Sequence, residues 1–312
     1  MSERRRRGRI AILGLPYFGK MVANLLAERG WKAAFYAHPG RDPKGWARLV
    51  LALARADIVY LVSSRVDIGS PQDRFMRFRR RPVVIHWVGT DVLIALDEHA
   101  RQNISTRLVE GPYHWCDAPW LVDELRPMGI RAEYVPLPIP VLETEPAPLP
   151  ERFRVLMYLP VDAFDREVFD METLLRLPVE LTEVEFILIP SPAESLPQPL
   201  PPNLLTPGWI SDMDALYRDI SAIVRLVSHD GMSFMVLEAL SRGRHVVYTY
   251  PLPHVVHASG FEAVATAVQD LAARQGAGTL ALNEEGRRYA LSHFDRETLI
   301  DDLDFRFSKL LR

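Results

Sequence analysis

The stretch PLPIPVLETEPAPLP, residues 136–150, packs six prolines into one short run. Proline has no amide N–H and a fixed φ, so such a run enters neither a helix interior nor a central strand. It reads as an extended linker, and the chain must then fold as separate bodies on either side of it. At 312 residues the chain is long for one core and comfortable for two.

The same rhythm runs on both sides of the linker. Before it come RIAILG, a helix over Phe18–Arg29 with Met21, Val22, Leu25 and Leu26 on one face, KAAFY and a helix over 45–55. DIVYLVS, RPVVIHWVG, the further run STRLVE, a helix near 118–127 and RAEYVPL follow. After it come FRVLMYL (153–159), a helix over 166–176, VEFILIP, a proline-rich loop (190–202) and NLLTPGW. A helix from Ser211, where Ser211 and Asp214 form an S-x-x-D capping box, leads to SAIVRLV and a helix over 234–242. HVVYTY, helices over 260–274 and 281–292, and a final helix near 295–311 end the chain. Strands separated by helices make parallel sheets. The expectation is an α/β protein of two Rossmann-like domains whose parallel sheets face each other across a cleft. Residues 1–140 form the first, 141–152 the linker and 153–294 the second, and 295–312 is a helix crossing back to the first. Ligands of open α/β sheets sit at the carboxyl ends of the strands.

Composition narrows the partners. A formal net charge of −3 gives no global case for nucleic acid. No apolar stretch approaches the ~20 residues that span a bilayer. The basic start MSERRRRGRI is followed by too short an apolar run for an export signal. Cys116 is the single cysteine, which forbids an intrachain disulfide and fits a reducing cytoplasm.

GLPYFGKMV (14–22) nearly matches a P-loop, with Gly14, Gly19 and Lys20 in register. Met21 stands where the motif needs a hydroxyl for Mg²⁺, and DIVYLVSS carries its Asp57 at the wrong end for a second acidic motif. The stretch therefore reads as a glycine turn between the first strand and the first helix.

The most specific segment is SAIVRLVSHDGMSFMVLEALSRGRHVVYT, 221–249. A buried strand ends near Val227, a polar turn carries Ser228 to Gly231, and Ser233 caps the next helix. Helix amides suit a diphosphate, and a carboxylate one turn further in, Glu238, suits a ribose diol. The stretch DGMSFMVLEALSRGRHVV resembles the signature E-G-F-G-x-x-x-x-E-A-x-x-x-G-x-P-V-V of retaining, family-4-type glycosyltransferases with the GT-B fold. Gly231, Glu238, Ala239, Gly243, Val246 and Val247 match in register, while Asp230 replaces the first Glu and Ser233 the second Gly. NLLTPGWISDMDALYRDISAIVRL is similar to the family's stretch flanking the donor's base, and HWVGTDV (86–92) to its H-G-x-D loop, with His86 displaced by Trp87 and Val88.

The resemblance implies a metal-independent enzyme that moves a sugar from a nucleotide-diphosphate sugar to a hydroxyl acceptor, a glycan or lipid-linked, with retention. The donor is a co-substrate and no cofactor is implied. Catalysis would fall to Asp230, Asp91 and His86. The donor would rest on Gly14, Tyr17, Phe18, Gly19, Arg166, Trp209, Arg225, Gly231, Met232, Ser233 and Glu238. One place departs from the family: where it carries G-R and a following Lys-Gly, this chain reads YLPVDAFDREVFD. Arg166 is the one cation there, and Arg225, inside AIVRLV, is the best substitute, or else the partner of a local acid such as Asp230. These departures keep open a non-catalytic GT-B partner or glycan-binding protein, and an epimerase of nucleotide sugars on the same fold remains a third reading. His229 has no Cys or His at ligand spacing, which argues against a metal. RFMRFRRRP (74–82) and the N-terminal arginines form basic stretches suited to an anionic membrane surface, which would place the protein at the inner face of the membrane.

Overall fold

The computed structural model describes residues 7–138 and 145–312. Residues 1–6, with Arg4–Arg6 of the basic start, and residues 139–144, with the first four residues of the expected linker (141–152), lie outside the described residues. The chain divides into two compact units. Among the described residues, one is built from the chain over 7–138 with His229–Met232 and Arg296–Arg312; the other holds 145–228 and Ser233–Asp295.

The first unit alternates β1 (Arg9–Gly14), α1 (Pro16–Glu28), β2 (Lys32–Phe35), α2 (Pro43–Arg55), β3 (Ile58–Val62), α3 (Pro71–Met76) and β4 (Val83–Trp87). It continues through α4 (Thr90–Ala100), α5 (Thr106–Glu110), β5 (Tyr113–Cys116), α6 (Pro119–Leu125) and β6 (Ala132–Tyr134). Its six parallel strands run in the order β2-β1-β3-β4-β5-β6. Every residue of β3 and β4 is buried, as expected of strands covered by helices on both faces. The switch in strand order falls between β1 and β3, where Gly14 pairs with Val62.

The second unit contains β7 (Arg154–Leu159), α7 (Ala163–Arg166), α8 (Met171–Glu180), β8 (Glu185–Pro190), β9 (Leu204–Leu205), α9 (Met213–Arg218) and β10 (Ala222–Arg225). Then come α10 (Phe234–Ser241), β11 (His245–Tyr248), β12 (Val256–His257), α11 (Phe261–Gly276) and α12 (Glu284–His293). Its six strands, also parallel, are ordered β12-β11-β10-β7-β8-β9. That is the dinucleotide-fold order, with the switch between β7 and β10. Its core joins Val155 and Met157 of β7, Leu174 and Leu177 of α8, and Val264 and Val268 of α11.

The last helix, α13 (Arg296–Leu310), completes the first unit. Asp304 accepts from the Trp31 indole at 2.6 Å and from the Arg7 guanidinium at 3.1 Å. Arg29 bonds Glu297 and Asp301. Phe307 is buried against the rings of Tyr60 and Trp115.

Several elements differ from the sequence reading. STRLVE is a helix, not a strand, and the strand is Tyr113–Cys116. Residues 106–110 bury a single side chain, Leu108, so β-branched content there carried no sheet face. The helix expected over 166–176 is instead α7 and α8, separated by residues 167–170, where the Phe169 backbone bridges Val227. The helix near Ser211 is capped by Asp212, which accepts from Ala215 N–H at 2.9 Å, so Ser211 and Asp214 form no box; Asp214 pairs with Arg242 instead.

Candidate functional site

The carboxyl edge of the first sheet is built around close backbone approaches. Gly14 takes φ +106°, and a Cβ there would lie 1.8 Å from the Val62 carbonyl oxygen. Ser63, the next residue on β3's side, adopts φ +67°, a strain that tends to collect at functional edges. Gly14–Gly19 is expected to form one turn, but α1 starts at Pro16, so the turn is Leu15 alone. Gly19 lies inside the helix, where a Cβ would meet the Phe35 ring at 2.5 Å. It lets α1 lie on β2 and cannot cradle a phosphate. Leu15 is the N-cap of α1, and its apolar side chain makes no capping hydrogen bond. Tyr17, 60% exposed, and Phe18 stand edge to face on the first turn.

The segment His229–Met232 belongs to this unit and is held on four sides. His229 Nε2 meets Glu124 at 2.6 Å, and the Trp120 indole donates to the Asp230 carbonyl at 2.7 Å. Gly231 has no room for a Cβ, which would sit 2.4 Å from the Val88 carbonyl and 2.9 Å from Asp117 Oδ1. The Met232 N–H bonds the Asp117 carboxyl. Asp91, in the first turn of α4, accepts from Val88 N–H at 3.1 Å. Both Asp91 and Asp117 are buried, and Asp91 Oδ2, Asp117 Oδ1 and His229 Nδ1 are buried without a hydrogen-bond partner among the described residues. Burial holds the Asp91 carboxyl up at about 6. Burial pushes Asp117 well above the usual carboxylate range, and the charges of Asp91 and Asp230 add to it.

His86 does not join this group. It lies in β4 with no exposed surface, its Nδ1 2.6 Å from the Tyr60 hydroxyl, and burial lowers its pKa to about 3. This is a neutral core histidine enclosed by Tyr60 and Trp115, a placement that keeps it from an acceptor. Asp117, Trp120 and Glu124 are the residues that sequence reasoning missed. Asp117 directly follows β5 in CDAPW, and a carboxylate just past a parallel strand is the signal that could have found it.

Asp117 gives a direct pH test. A carboxyl raised in the folded state contributes stability that is complete below its unfolded value near ~4 and is lost as pH rises toward the folded value. Asp117→Asn keeps an acceptor for Met232 N–H and cannot ionise. The variant is expected to melt increasingly above the wild type as pH rises from 4 to 8, with Asp91 contributing its own slope to both. Parallel curves of melting temperature against pH would refute the assignment.

In the second unit, α10 carries the segment singled out by sequence. Ser233 caps it, accepting from Val236 N–H at 3.4 Å. Glu238 is half-buried and accepts from the Tyr217 hydroxyl at 3.0 Å. Burial raises its carboxyl, while Tyr217 and Arg242 pull it back down. Arg242 lies 4.7 Å over the Tyr217 ring. Arg225 ends β10 at the switch point, its guanidinium 5.2 Å from the Phe169 ring and 5.8 Å from that of Tyr158. Arg166 is occupied: Nε donates to the Pro160 carbonyl at 2.5 Å, and Nη2 donates to the Ser191 and Ser195 hydroxyls at 2.8 and 3.1 Å. It ties together the loops after β7 and β8. Trp209, in the loop between β9 and α9, is 81% exposed.

No protein-family model matches the sequence, and no curated protein matches it. Solved structures do. The chain is similar to sucrose-phosphate synthase from Thermosynechococcus elongatus, with a TM-score of 0.74 at 13% identity over 98% of this chain and 99% of that one. It is similar to Anabaena HepE, solved in complex with UDP and glucose, with a TM-score of 0.66 at 12% identity over 97% and 100%. The fold is GT-B. The calicheamicin glycosyltransferase CalG4 shares this GT-B fold at a TM-score of 0.51 and 14% identity, over 96% of this chain and 98% of that one.

Proposed function

We propose that this GT-B protein is a metal-independent glycosyltransferase that takes a UDP-sugar and passes the sugar, with retention, to a hydroxyl of a glycan or lipid-linked acceptor. The observation that carries the reading is Glu238: a carboxylate just past the first turn of α10, half-buried and oriented by Tyr217, at the position where the family signature holds the donor's ribose. The choice of UDP is supported by HepE, whose structure contains UDP and glucose.

In this reading Glu238 accepts both ribose hydroxyls, and Trp209 offers its exposed face to the uracil. Arg225 and the amides that open α10 stabilise the diphosphate as negative charge develops on the leaving group. Asp230 orients the sugar. Arg166 acts indirectly: its guanidinium donates to Pro160, Ser191 and Ser195, so it shapes the loops at the strand ends instead of neutralising a phosphate. That leaves the phosphate site lighter in charge than the family pattern.

Thermal melting with UDP, ADP and GDP tests the proposal. A ligand at 100 times its Kd adds about 2.7 kcal/mol of stability, so UDP is expected to raise the melting temperature by several degrees and the purines by less. UDP release from UDP-glucose, faster with a hydroxyl acceptor, is the second expected result. Binding without turnover points to the non-catalytic reading, and no shift with any nucleotide overturns the assignment.

A further inference from the structure

Helix α2, PKGWARLVLALAR, has its apolar side turned the wrong way for a core helix. Leu49 alone is buried, whereas Trp46, Val50 and Leu51 are 40, 61 and 49% exposed. At about 100° per residue, Trp46, Ala47, Val50, Leu51 and Ala54 fill one outward arc. Lys44, Arg48 and Arg55 form the strip beside it, and the helix contains no acidic residue. A helix that met only water would present the basic strip and bury the apolar arc.

A second segment extends this face. Arg79 donates to the carbonyls of Leu53 and Ala56 at 3.2 and 3.1 Å, and Arg81 bonds Asp57 at 2.6 Å. Residues 77–81 therefore abut the carboxyl end of α2. Just before these anchors Phe78 is 85% exposed, next to the exposed Arg77, and the exposed Arg80 lies between them. On the other flank, α2 borders a cavity of about 590 Å³ over β1 and β2. Arg9, Lys32, Arg48 and Arg55 line it, with no carboxylate among the lining residues.

We propose that α2 and residues 77–80 seat the protein on an anionic lipid bilayer, with Trp46, Val50, Leu51 and Phe78 entering the headgroup layer. Lys44, Arg48, Arg55 and Arg80 meet lipid phosphates around them, and the basic cavity accepts a headgroup. Charge complementarity selects this occupant: apolar side chains ringed by cations and free of acids along the helix match an anionic interface. No helix among the described residues is long and apolar enough to cross a membrane, so the contact lies along the surface. It is independent of the donor chemistry proposed above and stands or falls separately from it.

The test is co-sedimentation of the full chain with phosphatidylcholine vesicles, plain or with a third of the lipid replaced by phosphatidylglycerol. Partitioning is expected to be about tenfold stronger on the anionic vesicles and to weaken with added salt. Trp46→Ser with Phe78→Ser, and separately Arg48→Glu with Arg55→Glu, are expected to abolish the preference. All four side chains are exposed, and Trp46 gives up only its bond to the Gly40 carbonyl and its contact with His38, so an unchanged circular dichroism spectrum and a melting temperature within a few degrees of the wild type check that the variants are folded. Equal binding to both vesicle types, or wild-type binding by both double variants, overturns the proposal. So does a concentration-dependent dimer lost in Val50→Ser with no vesicle binding, which would assign the face to a second copy of the chain.

Discussion

Alanine at position 14 is expected to cost the protein about 3–5 kcal/mol and roughly 10 °C of melting temperature. Two effects act together. The backbone at Gly14 holds φ +106°, a region where a Cβ clashes with its own chain. The new Cβ would also lie 1.8 Å from the Val62 carbonyl oxygen, which accepts the Leu15 N–H at 2.9 Å. Relief of the overlap must separate β1 from β3 at the switch point. Gly40 is the control. Its φ is +58° with nothing within 4 Å of a Cβ, so Gly40→Ala meets only the left-handed penalty of about 1–2 kcal/mol. Differential scanning calorimetry of the two variants separates overlap from backbone preference. Similar melting for both would show the turn after β1 to be pliant.

Glu238→Ala is expected to weaken UDP binding about 10- to 100-fold while leaving the melting temperature nearly unchanged. Two hydrogen bonds from ribose hydroxyls to a carboxylate are worth about 1.5–3 kcal/mol each, less the water they displace. The fold loses little, because the Tyr217 hydroxyl already lies 3.3 Å from the Met235 carbonyl and keeps an acceptor. Removing the carboxylate also relieves the burial that raises it. Affinity and stability thus part company, as they would not for a purely structural glutamate. Calorimetric titration with UDP decides it, and unchanged affinity removes Glu238 from the donor site.

The parallel sheets were legible because strands such as IVYLV and VVIHW are apolar on both faces and no helix of that length reads so. The capping role of Ser233 and the position of Glu238 were legible because one lies just before and the other within a single short helix, five residues apart. Errors arose wherever a local pattern had two physical uses. Gly19 matched a phosphate loop but serves close packing on Phe35. His86 matched a loop motif, yet it is an interior residue of a strand. For Asp117 the place just past β5 was legible but the pairing was not: its partner Met232 is far away in sequence, and no window of residues contains both.

The first unit draws on three separated stretches of chain, and its aromatic centre is closed only when Phe307 reaches Tyr60 and Trp115. During synthesis, then, this body stays unfinished until translation has run through to residue 310, long after its own six strands have left the ribosome. A nascent chain stalled after residue 295 would display an open apolar surface, the kind of target chaperones hold and proteases cut.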